Sequence, residues 1–464
     1  MSYDYDAAVI GLGPAGMAVS IMGATMGLKV VGIEKRALGG ECMNVGCIPS
    51  KALLRMAQVR EEIRRKGSEA VDPELANPFK KISDYLNFID QQKTRSMFDK
   101  VDLILREGSA SFVDAHTLQV GERRVTAKRI FICTGTRPMI PPIPGLADID
   151  YLTNESIFNL ESIPSSLVIL GGGAIGTELA QAFNRLGCKT TIVHMDPHLI
   201  PAGDETGARL VESSLESEGV TVLNGRKLTK AYKNDSGVVL ETDQGEKIQG
   251  EKLLVAAGRK MDFTELKLEN AGIEYDKKGI KVNKHLRTTA SNVYAPGDCN
   301  GHVLFSHAAM HQGMIALINA MMPWPFKKDF RKYVVPWTVF STPQYSHVGK
   351  TEKQLKADGV DYETIEIRYD DYGAAIAEGI DVGFVRVFVS TMGKIYGATI
   401  VGEGSGDMIN EWGLAIQKGL RMHDIMFLQH SFPTMSFLTK RASEKWMMNR
   451  MKSSFLKRMA RWMW

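Results

Sequence analysis

The chain of 464 residues contains no long hydrophobic run. No stretch approaches the roughly 18 uninterrupted apolar residues that a membrane-spanning helix needs. The residues ahead of the first predicted strand form neither a basic region nor an apolar signal core. Cysteine is scarce as well, and the 5 cysteines stand at irregular spacing that does not make a secreted disulfide framework. These absences predict a cytoplasmic globular protein in a reducing compartment.

The overall composition is that of an ordinary globular protein. With 44% hydrophobic and 24% charged residues, the sequence shows no sign of disorder or of a collagen-like repeat. A formal net charge of +4 is small for this length, and we expect no nucleic-acid partner. The length predicts about three domains of ordinary size.

A glycine-rich turn stands near the N-terminus, between a predicted strand and a predicted helix. In the spacing Gly11-x-Gly13-x-x-Gly16 the first glycine makes the tight turn and the second lets the backbone approach a pyrophosphate. The third glycine lets helix and strand pack closely. Glu34 ends the next predicted strand, where a carboxylate accepts hydrogen bonds from a ribose diol. Strand, spacing and acid together predict a dinucleotide site.

The same strand–turn–helix–strand pattern returns at residues 166–193, with its turn between Gly171 and Gly176. The second strand is followed by His194 and not by an acid. An acid at this position would favour NAD, and a cluster of arginines would favour NADP. A histidine decides neither; Asp196 is an alternative acceptor, and His194 is alternatively a surface histidine. The pattern predicts a second nucleotide site, for NAD or NADP.

Cys42 and Cys47, with four residues between them, stand at the start of a predicted helix. A helix N-terminus lowers the pKa of a thiol and favours a thiolate, so the pair is a candidate redox couple. Two alternatives stay open. The pair could bind a metal, although no second Cys/His pair completes a tetrahedral site, or both cysteines could be structural. We expect Cys133, Cys188 and Cys299 to be packing residues.

Residues 39–51 closely resemble the active-site signature of the flavin-dependent disulfide reductases, the group that includes dihydrolipoamide dehydrogenase, glutathione reductase and mercuric reductase. The resemblance covers residues 4–443 in the family's motif order. It implies FAD as cofactor, a reduced nicotinamide as electron donor, and a homodimer. The implied fold is α/β, with two Rossmann-like dinucleotide-binding domains, a C-terminal α+β dimerisation domain and an amphipathic C-terminal tail.

The resemblance also implies domain limits. The FAD-binding domain takes residues 1–150 and returns at 276–331, on either side of an NAD(P)-binding domain at 151–275. The dimerisation domain takes 332–443, and a basic amphipathic tail takes 444–464.

Roles for individual residues follow from the same resemblance. Cys47 is implied as the flavin-side sulfur and Cys42 as the interchange thiol that faces the acceptor. Lys51 is implied to pair with Glu178 beside the flavin; a plain helix salt bridge is the alternative. FAD contacts are further implied for Gly11, Gly13, Pro14, Ala15, Gly16, Glu34, Lys35, Gly40, Glu41, Ala110, Thr134, Gly135, Asp298 and Ser306. Nicotinamide contacts are implied for Gly171, Gly173, Ala174, Ile175, Gly176, Glu178, His194 and Gly258.

The sequence departs from the family pattern near its C-terminus. The disulfide reductases carry a histidine and a glutamate there, supplied by the other subunit, as acid–base for the dithiol substrate. Phe432 and Phe437 occupy these positions here, and neither can carry a proton. His430 lies two residues upstream of Phe432, where we expect it to point elsewhere, although it is the candidate substitute. Because a positioned base is worth about 10²–10⁴-fold in rate, thiol turnover is expected to be poor.

The C-terminal tail is strongly basic. Residues 438–464 hold eight Lys or Arg and one Glu, a net charge of +7 that leaves −3 for the rest of the chain. An apolar stripe at helical spacing runs through Met448, Met451, Phe455, Met459, Trp462 and Met463. This pattern is typical of a helix that lies on a membrane surface, here the inner face of the membrane. Packing on the partner subunit, an acidic protein partner and a solvated end are alternatives.

Three functions compete at this point. The first is an NAD(P)H oxidoreductase that passes electrons through Cys42 and Cys47 to a small non-thiol acceptor near the membrane, such as a quinone. The second is a dithiol oxidoreductase of the dihydrolipoamide dehydrogenase type. The third is a non-catalytic, membrane-associated redox-sensing flavoprotein.

Overall fold

The structure is a computed structural model that describes residues 3–67, 77–452, 458 and 461–463. The chain divides into two units, each built from two separated stretches. The first unit comprises Met1–Pro164 and Lys252–Lys332, and the second comprises Ser165–Glu251 and Tyr333–Trp464.

Helices and strands are numbered separately, each in chain order. The first stretch of the first unit contains α1 (Pro14–Thr25), α2 (Gly40–Asn44), α3 (Cys47–Arg65), α4 (Pro78–Ile89), β1 (Tyr5–Ile10), β2 (Val30–Glu34), β3 (Asp102–Leu105), β4 (Ala110–Phe112), β5 (Thr117–Val120), β6 (Arg123–Ile132) and β7 (Arg137–Pro138). The first stretch of the second unit contains α5 (Ala174–Arg185), α6 (Glu205–Ser217), β8 (Ser166–Leu170), β9 (Lys189–Val193), β10 (Thr221–Leu223), β11 (Leu228–Asn234), β12 (Gly237–Thr242) and β13 (Lys247–Gly250).

The remaining elements belong to the two later stretches. The return stretch of the first unit contains α7 (Ser306–Met321), β14 (Lys252–Val255), β15 (Arg259–Lys260), β16 (Tyr275–Asp276), β17 (Gly279–Ile280) and β18 (Val293–Tyr294). The last stretch contains α8 (Glu352–Ala357), α9 (Gly373–Ala377), α10 (Ser405–Lys418), α11 (Met422–Phe427), α12 (Phe437–Met451), β19 (Trp337–Val339), β20 (Tyr345–Gly349), β21 (Glu363–Arg368), β22 (Phe384–Val389) and β23 (Ile395–Val401).

The first unit is organised around a parallel sheet with the strand order β3-β2-β1-β6, to which β18 adds beside β6. All five residues of β2 are buried, as expected for a parallel strand that is covered on both faces. The register places Val9 opposite Gly32 and Phe131, at the end of the sheet where the glycine turn begins. Strands β4 and β5 extend the sheet in antiparallel fashion.

The second unit repeats this arrangement on a smaller scale. Strands β8, β9 and β10 pair in parallel beside α5, and β11, β12 and β13 form an antiparallel meander. Its last stretch forms an antiparallel sheet in the order β19-β20-β23-β22-β21. The core beneath this sheet includes the fully buried side chains of Trp412, Tyr369 and Val387. The α/β class predicted from the sequence is confirmed.

The C-terminal helix differs from the predicted tail. Helix α12 begins at Phe437 and ends at Met451, so the predicted boundary at 443 falls inside it. Trp446 is only 5% exposed and packs in the core of the second unit, because the inner side of α12 lies against that core. Phe455, Met459 and Trp464 lie outside the described residues.

Within the described residues, no helix combines the length and the apolar character that crossing a membrane requires.

Candidate active site

The first glycine turn connects β1 to α1. Gly11 has φ +89°, a left-handed conformation that favours glycine, and a Cβ there would lie 2.6 Å from the carbonyl oxygen of Cys133. A Cβ on Gly16 would lie 1.9 Å from the Gly11 oxygen, so helix and strand pack as closely as the motif predicts. Pro14 is the first residue of α1, a position where its missing N–H costs nothing, and Ala15 is buried beside it.

Glu34 ends β2 and holds this turn from the side. Its Oε2 accepts a hydrogen bond from the backbone N–H of Leu12 at 2.8 Å, and its Oε1 accepts one from the N–H of Arg36 at 2.7 Å. Each oxygen keeps a second acceptor site. The carboxylate is therefore positioned by the backbone while able to accept from a ribose hydroxyl.

A second close approach forms the other wall of the turn. Gly40 has φ +61°, and a Cβ there would lie 2.7 Å from the Cα of Gly13. A Cβ on Gly13 would meet only the Cα of Gly40, at an ordinary 3.7 Å. The backbone beside Gly13 is thus bare of side chains where a pyrophosphate would approach the N-terminus of α1.

The two cysteines lie on consecutive helices. Cys42 belongs to α2 and Cys47 is the first residue of α3. The Cys47 sulfur lies 3.4 Å from the hydroxyl oxygen of Ser306, at the start of α7. A hydrogen bond with Cys47, and then burial, raise the pKa of the Cys42 thiol. The lowered thiol pKa expected at a helix N-terminus is therefore wrong for Cys42, because the contact with Cys47 and burial raise its pKa.

The other three cysteines are buried, as expected for packing residues. Burial raises the pKa of Cys188 to about 12 and raises that of Cys133 as well. A protonated, inaccessible thiol is a poor nucleophile. Cys42 and Cys47, which are half-buried, are thus the reactive candidates of the five.

A polar chain connects the segment around Cys42 with the carboxyl group of Asp298. Glu41 forms an ion pair with Arg259, which also donates to the backbone oxygen of Thr136 at 3.1 Å. Thr136 in turn donates through its hydroxyl to Asp298 at 3.5 Å. Thr136 and Arg259 are site residues that the predicted list omitted. Thr136 directly follows Thr134 and Gly135, which were predicted as FAD contacts. This adjacency is the sequence signal that could have identified Thr136 as a site residue.

Asp298 is a half-buried carboxyl group, and no close strong donor contacts it among the residues that the structure describes. Burial raises its pKa to about 6, against a smaller opposing effect of Arg259. The 3.5 Å contact from Thr136 is long for a hydroxyl donor. FAD, for which Asp298 is an implied contact, carries hydroxyl groups on its ribityl chain that would supply the missing donors.

This predicts a pH dependence of FAD binding. Because bound hydroxyl donors favour the carboxylate, FAD should bind more tightly as the pH rises towards 6 and then level off, by about tenfold between pH 5 and pH 7. Fluorescence titration of FAD into the FAD-free protein measures this. Asp298→Asn should bind FAD more weakly and without that slope. An identical slope in the variant would contradict the assignment of the proton to Asp298.

The remaining predicted FAD residues also lie in the first unit. Lys35 donates to the Ser109 hydroxyl at 3.0 Å and pairs with Glu265. Ala110 is buried in β4, Thr134 and Gly135 follow β6, and Lys51 is half-buried in α3. The pairing of Lys51 with Glu178 stays a prediction.

The second glycine turn reproduces the first within the second unit. A Cβ on Gly176 would lie 1.9 Å from the Gly171 oxygen, and a Cβ on Gly173 would meet no atom within 4 Å. Ala174 and Ile175 open α5, and Ile175 is partly exposed. Glu178, on the same helix, is buried and accepts a hydrogen bond from the N–H of Phe340 at 2.9 Å. Gly258, in the first unit, has φ +123°.

His194 follows β9 at the position where an acid would stand. It is only 7% exposed, so the alternative of a surface histidine is wrong. Its Nδ1 accepts a hydrogen bond from the N–H of Gly172 at 3.1 Å. Burial is the main reason that its pKa is lowered.

The acid–base positions of the last stretch are aromatic. Phe432 is 69% exposed, and its ring packs edge-on against that of Phe437 with centroids 5.4 Å apart. The side chain of His430 is only 5% exposed, and its Nε2 lies 3.0 Å from Oε1 of Glu411. Burial raises the pKa of Glu411. His430 thus points into its own unit, as the sequence suggested, and has a carboxylate partner there.

Both turns fit the cofactors that the resemblance implies. The first has close glycine packing, a backbone free of side chains beside Gly13 and an oriented acid at Glu34. It also has a carboxyl group, that of Asp298, which lacks close hydrogen-bond donors, and these features together suit FAD. The second has the same glycine packing and open space beside Gly173, which suits a nicotinamide dinucleotide. Among the described residues, no group of three or more His, Cys, Asp or Glu side chains could hold a metal ion. The fold and these sites define an enzyme that carries a flavin and oxidises a nicotinamide.

The sequence matches the family described as pyridine nucleotide-disulphide oxidoreductase over residues 5–313, and the dimerisation domain of that family over residues 335–442. The chain belongs to this family, and it is an FAD-dependent oxidoreductase that uses NAD or NADP. The predicted family is confirmed. The dimerisation match supports a homodimer.

Several known proteins are similar along nearly the whole chain. A dihydrolipoyl dehydrogenase from Thermus scotoductus is 34% identical over 450 residues, which cover 93% of this chain and 95% of that protein. A mercuric reductase from Staphylococcus aureus is 32% identical over 432 residues, 91% of this chain and 79% of that one. Among solved structures, the HOCl-induced flavoprotein disulfide reductase RclA from Escherichia coli superposes with a TM-score of 0.85 at 28% identity, covering 95% of this chain and 99% of that one.

Proposed function

We propose that this enzyme passes electrons from NAD(P)H through FAD and the Cys42–Cys47 pair to a non-thiol acceptor close to a membrane, such as a quinone. The observation that carries the proposal is the replacement of the acid–base pair by Phe432 and Phe437. These rings pack against each other and offer an apolar, partly exposed surface. Such a surface suits a flat, hydrophobic acceptor better than a charged thiol.

The state of the cysteines supports a non-thiol acceptor. Bound FAD supplies an acceptor for the hydride of the reduced nicotinamide. The cysteine disulfide then takes up two electrons and two protons and becomes the dithiol. The hydrogen bond with Cys47 and burial raise the pKa of Cys42, so this thiol needs a base to take part in disulfide exchange. No residue at position 432 or 437 can remove the thiol proton.

A second candidate is a dithiol oxidoreductase of the dihydrolipoamide dehydrogenase type. The His430–Glu411 contact of 3.0 Å favours it, because a histidine oriented by a carboxylate has the arrangement of a general base. The burial of the His430 side chain argues against it, because a base must come within hydrogen-bond reach of the proton that it removes.

An acceptor screen separates the two candidates. Purified holoenzyme should oxidise NADH or NADPH with a soluble quinone as acceptor, and turn over lipoamide at least about 100-fold more slowly, the lower end of what a positioned base is worth. Both rates are followed by nicotinamide absorbance. Lipoamide turnover equal to or faster than quinone turnover would overturn the proposal in favour of the second candidate.

Restoring the acid–base pair should allow the enzyme to react faster with a dithiol substrate. The double variant Phe432→His/Phe437→Glu is expected to oxidise dihydrolipoamide at least about tenfold faster than the wild type, since it regains part of what a positioned base contributes. The reaction is measured as NAD⁺ reduction. The matched control is Phe432→Asn/Phe437→Gln, which introduces similar polarity without a base and should show no gain. Equal rates in all three proteins would contradict the role assigned to these positions.

The membrane part of the proposal rests on the end of the tail. Four basic side chains of α12 make contacts within their own unit: Lys440 with the Leu428 oxygen, Arg441 with the Asp371 oxygen, Lys445 with the Glu366 oxygen and Arg450 with Glu363. These contacts occupy part of the hydrogen-bonding capacity of the four side chains. Among the described residues beyond α12, the exposed apolar side chains are Trp462, at 86%, and Met463, at 67%. Together with the basic residues after 451, they make the candidate membrane-binding segment.

Vesicle binding tests this segment. The full chain should bind vesicles containing 30% anionic lipid at least about tenfold more tightly than a chain that ends at Lys452, which keeps α12 and its buried Trp446. Cosedimentation measures the difference. Vesicles of neutral lipid should bind both forms weakly. If the two forms bind anionic vesicles equally, the segment does not contact the membrane.

A further inference from the structure

The two nucleotide turns carry different residues at equivalent positions. In the first turn, Glu34 accepts from the N–H of Leu12 at 2.8 Å; in the second, His194 accepts from the N–H of Gly172 at 3.1 Å. The histidine thus takes over the contact by which the acid holds its own turn. It does so with one ring nitrogen, which leaves the other nitrogen for a different task.

The remaining nitrogen of His194 is a donor. A neutral imidazole that accepts at Nδ1 carries its hydrogen at Nε2. Nε2 is buried and has no hydrogen-bond partner among the described residues. Oδ2 of Asp196 lies 3.4 Å from this nitrogen, and the Asp196 side chain is 51% exposed. A buried N–H with an exposed carboxylate beside it forms a donor–acceptor pair at the edge of the turn.

The charges around this pair are mainly negative. Glu212 lies near the ring and is partly neutralised by Arg209, while His198 is buried with its Nδ1 2.7 Å from the Leu199 oxygen. Arg226, whose N–H donates to the His194 oxygen, directs its guanidinium to Glu246 at 2.7 Å. While His194 is neutral, Asp196 therefore gives the pair its negative charge.

We infer that His194 and Asp196 together bind the adenosine ribose, His194 donating to the 2′-hydroxyl and Asp196 accepting from it, so that the enzyme selects NAD over NADP. This inference deepens the nicotinamide part of the proposed function and is independent of the electron acceptor. In NADP a 2′-phosphate replaces this hydroxyl, so Asp196 has no hydroxyl hydrogen to accept. The negative charge of Asp196 would also repel the phosphate.

The selection depends on pH. Protonation of His194 breaks the contact with the Gly172 N–H and adds a positive charge beside the 2′ position. A 2′-phosphate stabilises that charge, so the affinity for NADP should rise relative to the affinity for NAD as the pH falls. Asp196 and Glu212 favour the protonated ring and burial opposes it. The net effect is a lowered pKa, which keeps His194 neutral and the selection intact at neutral pH.

The test uses FAD-loaded enzyme and measures the dissociation constants of NAD⁺ and NADP⁺ by calorimetry, without turnover. At pH 8, NADP⁺ should bind at least about tenfold more weakly than NAD⁺, equivalent to about 1.4 kcal/mol. Asp196→Asn, an exposed change that should not disturb folding, should reduce this ratio to about threefold or less. The wild-type ratio should fall as the pH is lowered below 6.5 and approaches the lowered pKa of His194.

His194→Gln is the matched control for the pH effect. A glutamine can also accept from Gly172 and donate outward, but it does not titrate. The 2′-phosphate titrates near pH 6 in both proteins, so the difference between their pH profiles isolates His194. Tighter binding of NADP⁺ than of NAD⁺ at pH 8, or equal pH profiles in the two proteins, would overturn the inference. Neither result involves the acceptor, so failure here and failure of the proposed function are distinguishable.

Discussion

Replacement of Cys47 by serine is expected to lower lipoamide and quinone turnover by at least about 10³-fold, while NADH still reduces the flavin at close to the wild-type rate. Cys47 is the first residue of α3 and shares a hydrogen bond with Cys42. A serine hydroxyl cannot form a disulfide, so the two-electron store between flavin and acceptor disappears. Steady-state assays measure turnover, and stopped-flow absorbance of the flavin measures the first half-reaction.

The control for this change is Cys188→Ser. It makes the same substitution at a buried cysteine of the second unit and should leave both half-reactions unchanged. Unaltered lipoamide turnover in Cys47→Ser would remove the cysteine pair from the electron path. Unaltered quinone turnover alone would show that electrons leave before they reach the sulfurs, and the proposed route to the acceptor would then be wrong.

Valine at Gly13 is expected to weaken FAD binding by at least about 100-fold without unfolding the first unit. Gly13 has φ −72°, which any residue adopts, and its Cβ would meet the protein only at 3.7 Å. The new side chain would instead fill the space beside the N-terminus of α1, where the pyrophosphate approaches the backbone. The flavin absorbance per polypeptide after purification and the dissociation constant of FAD measure the loss.

Gly173→Val is the matched control in the other turn. Gly173 has φ −75°, and a Cβ there would meet nothing within 4 Å. This variant should purify with its full FAD content but bind NAD⁺ or NADP⁺ at least about 100-fold more weakly. Each variant therefore should lose one nucleotide and keep the other. Loss of FAD in both variants, or in neither, would contradict the assignment of the first turn to FAD and the second to the nicotinamide.

Much of the fold and of the site is predictable from local sequence. The turns at Gly11 and Gly171 follow from spacing alone, because tight turns and close helix–strand packing leave glycine as the residue that fits. The cysteine pair also stands within six residues. Local patterns of this kind need no knowledge of the rest of the chain, and the structure places them at the starts of α1, α5 and α3.

The unpredicted features depend on residues that are distant in sequence. Arg259 pairs with Glu41 across 218 positions, and Thr136 contacts Asp298 across 162. Helical spacing alone gave no means of knowing that Trp446 faces the core while Met448 faces solvent, since that depends on the surface against which α12 packs. The raised pKa of Cys42 likewise depends on contact with Cys47 and on burial.

The first unit is completed late during synthesis, because its two stretches are separated by Ser165–Glu251. Cys47 contacts Ser306, 259 positions downstream, so the ribosome must release most of the polypeptide before that contact forms. Long-range closures of this kind fold slowly and leave partly folded intermediates exposed. A nascent chain therefore presents Cys42 and Cys47 to oxidants before α7 covers them. An environment that keeps thiols reduced during translation would favour correct maturation of this flavoenzyme.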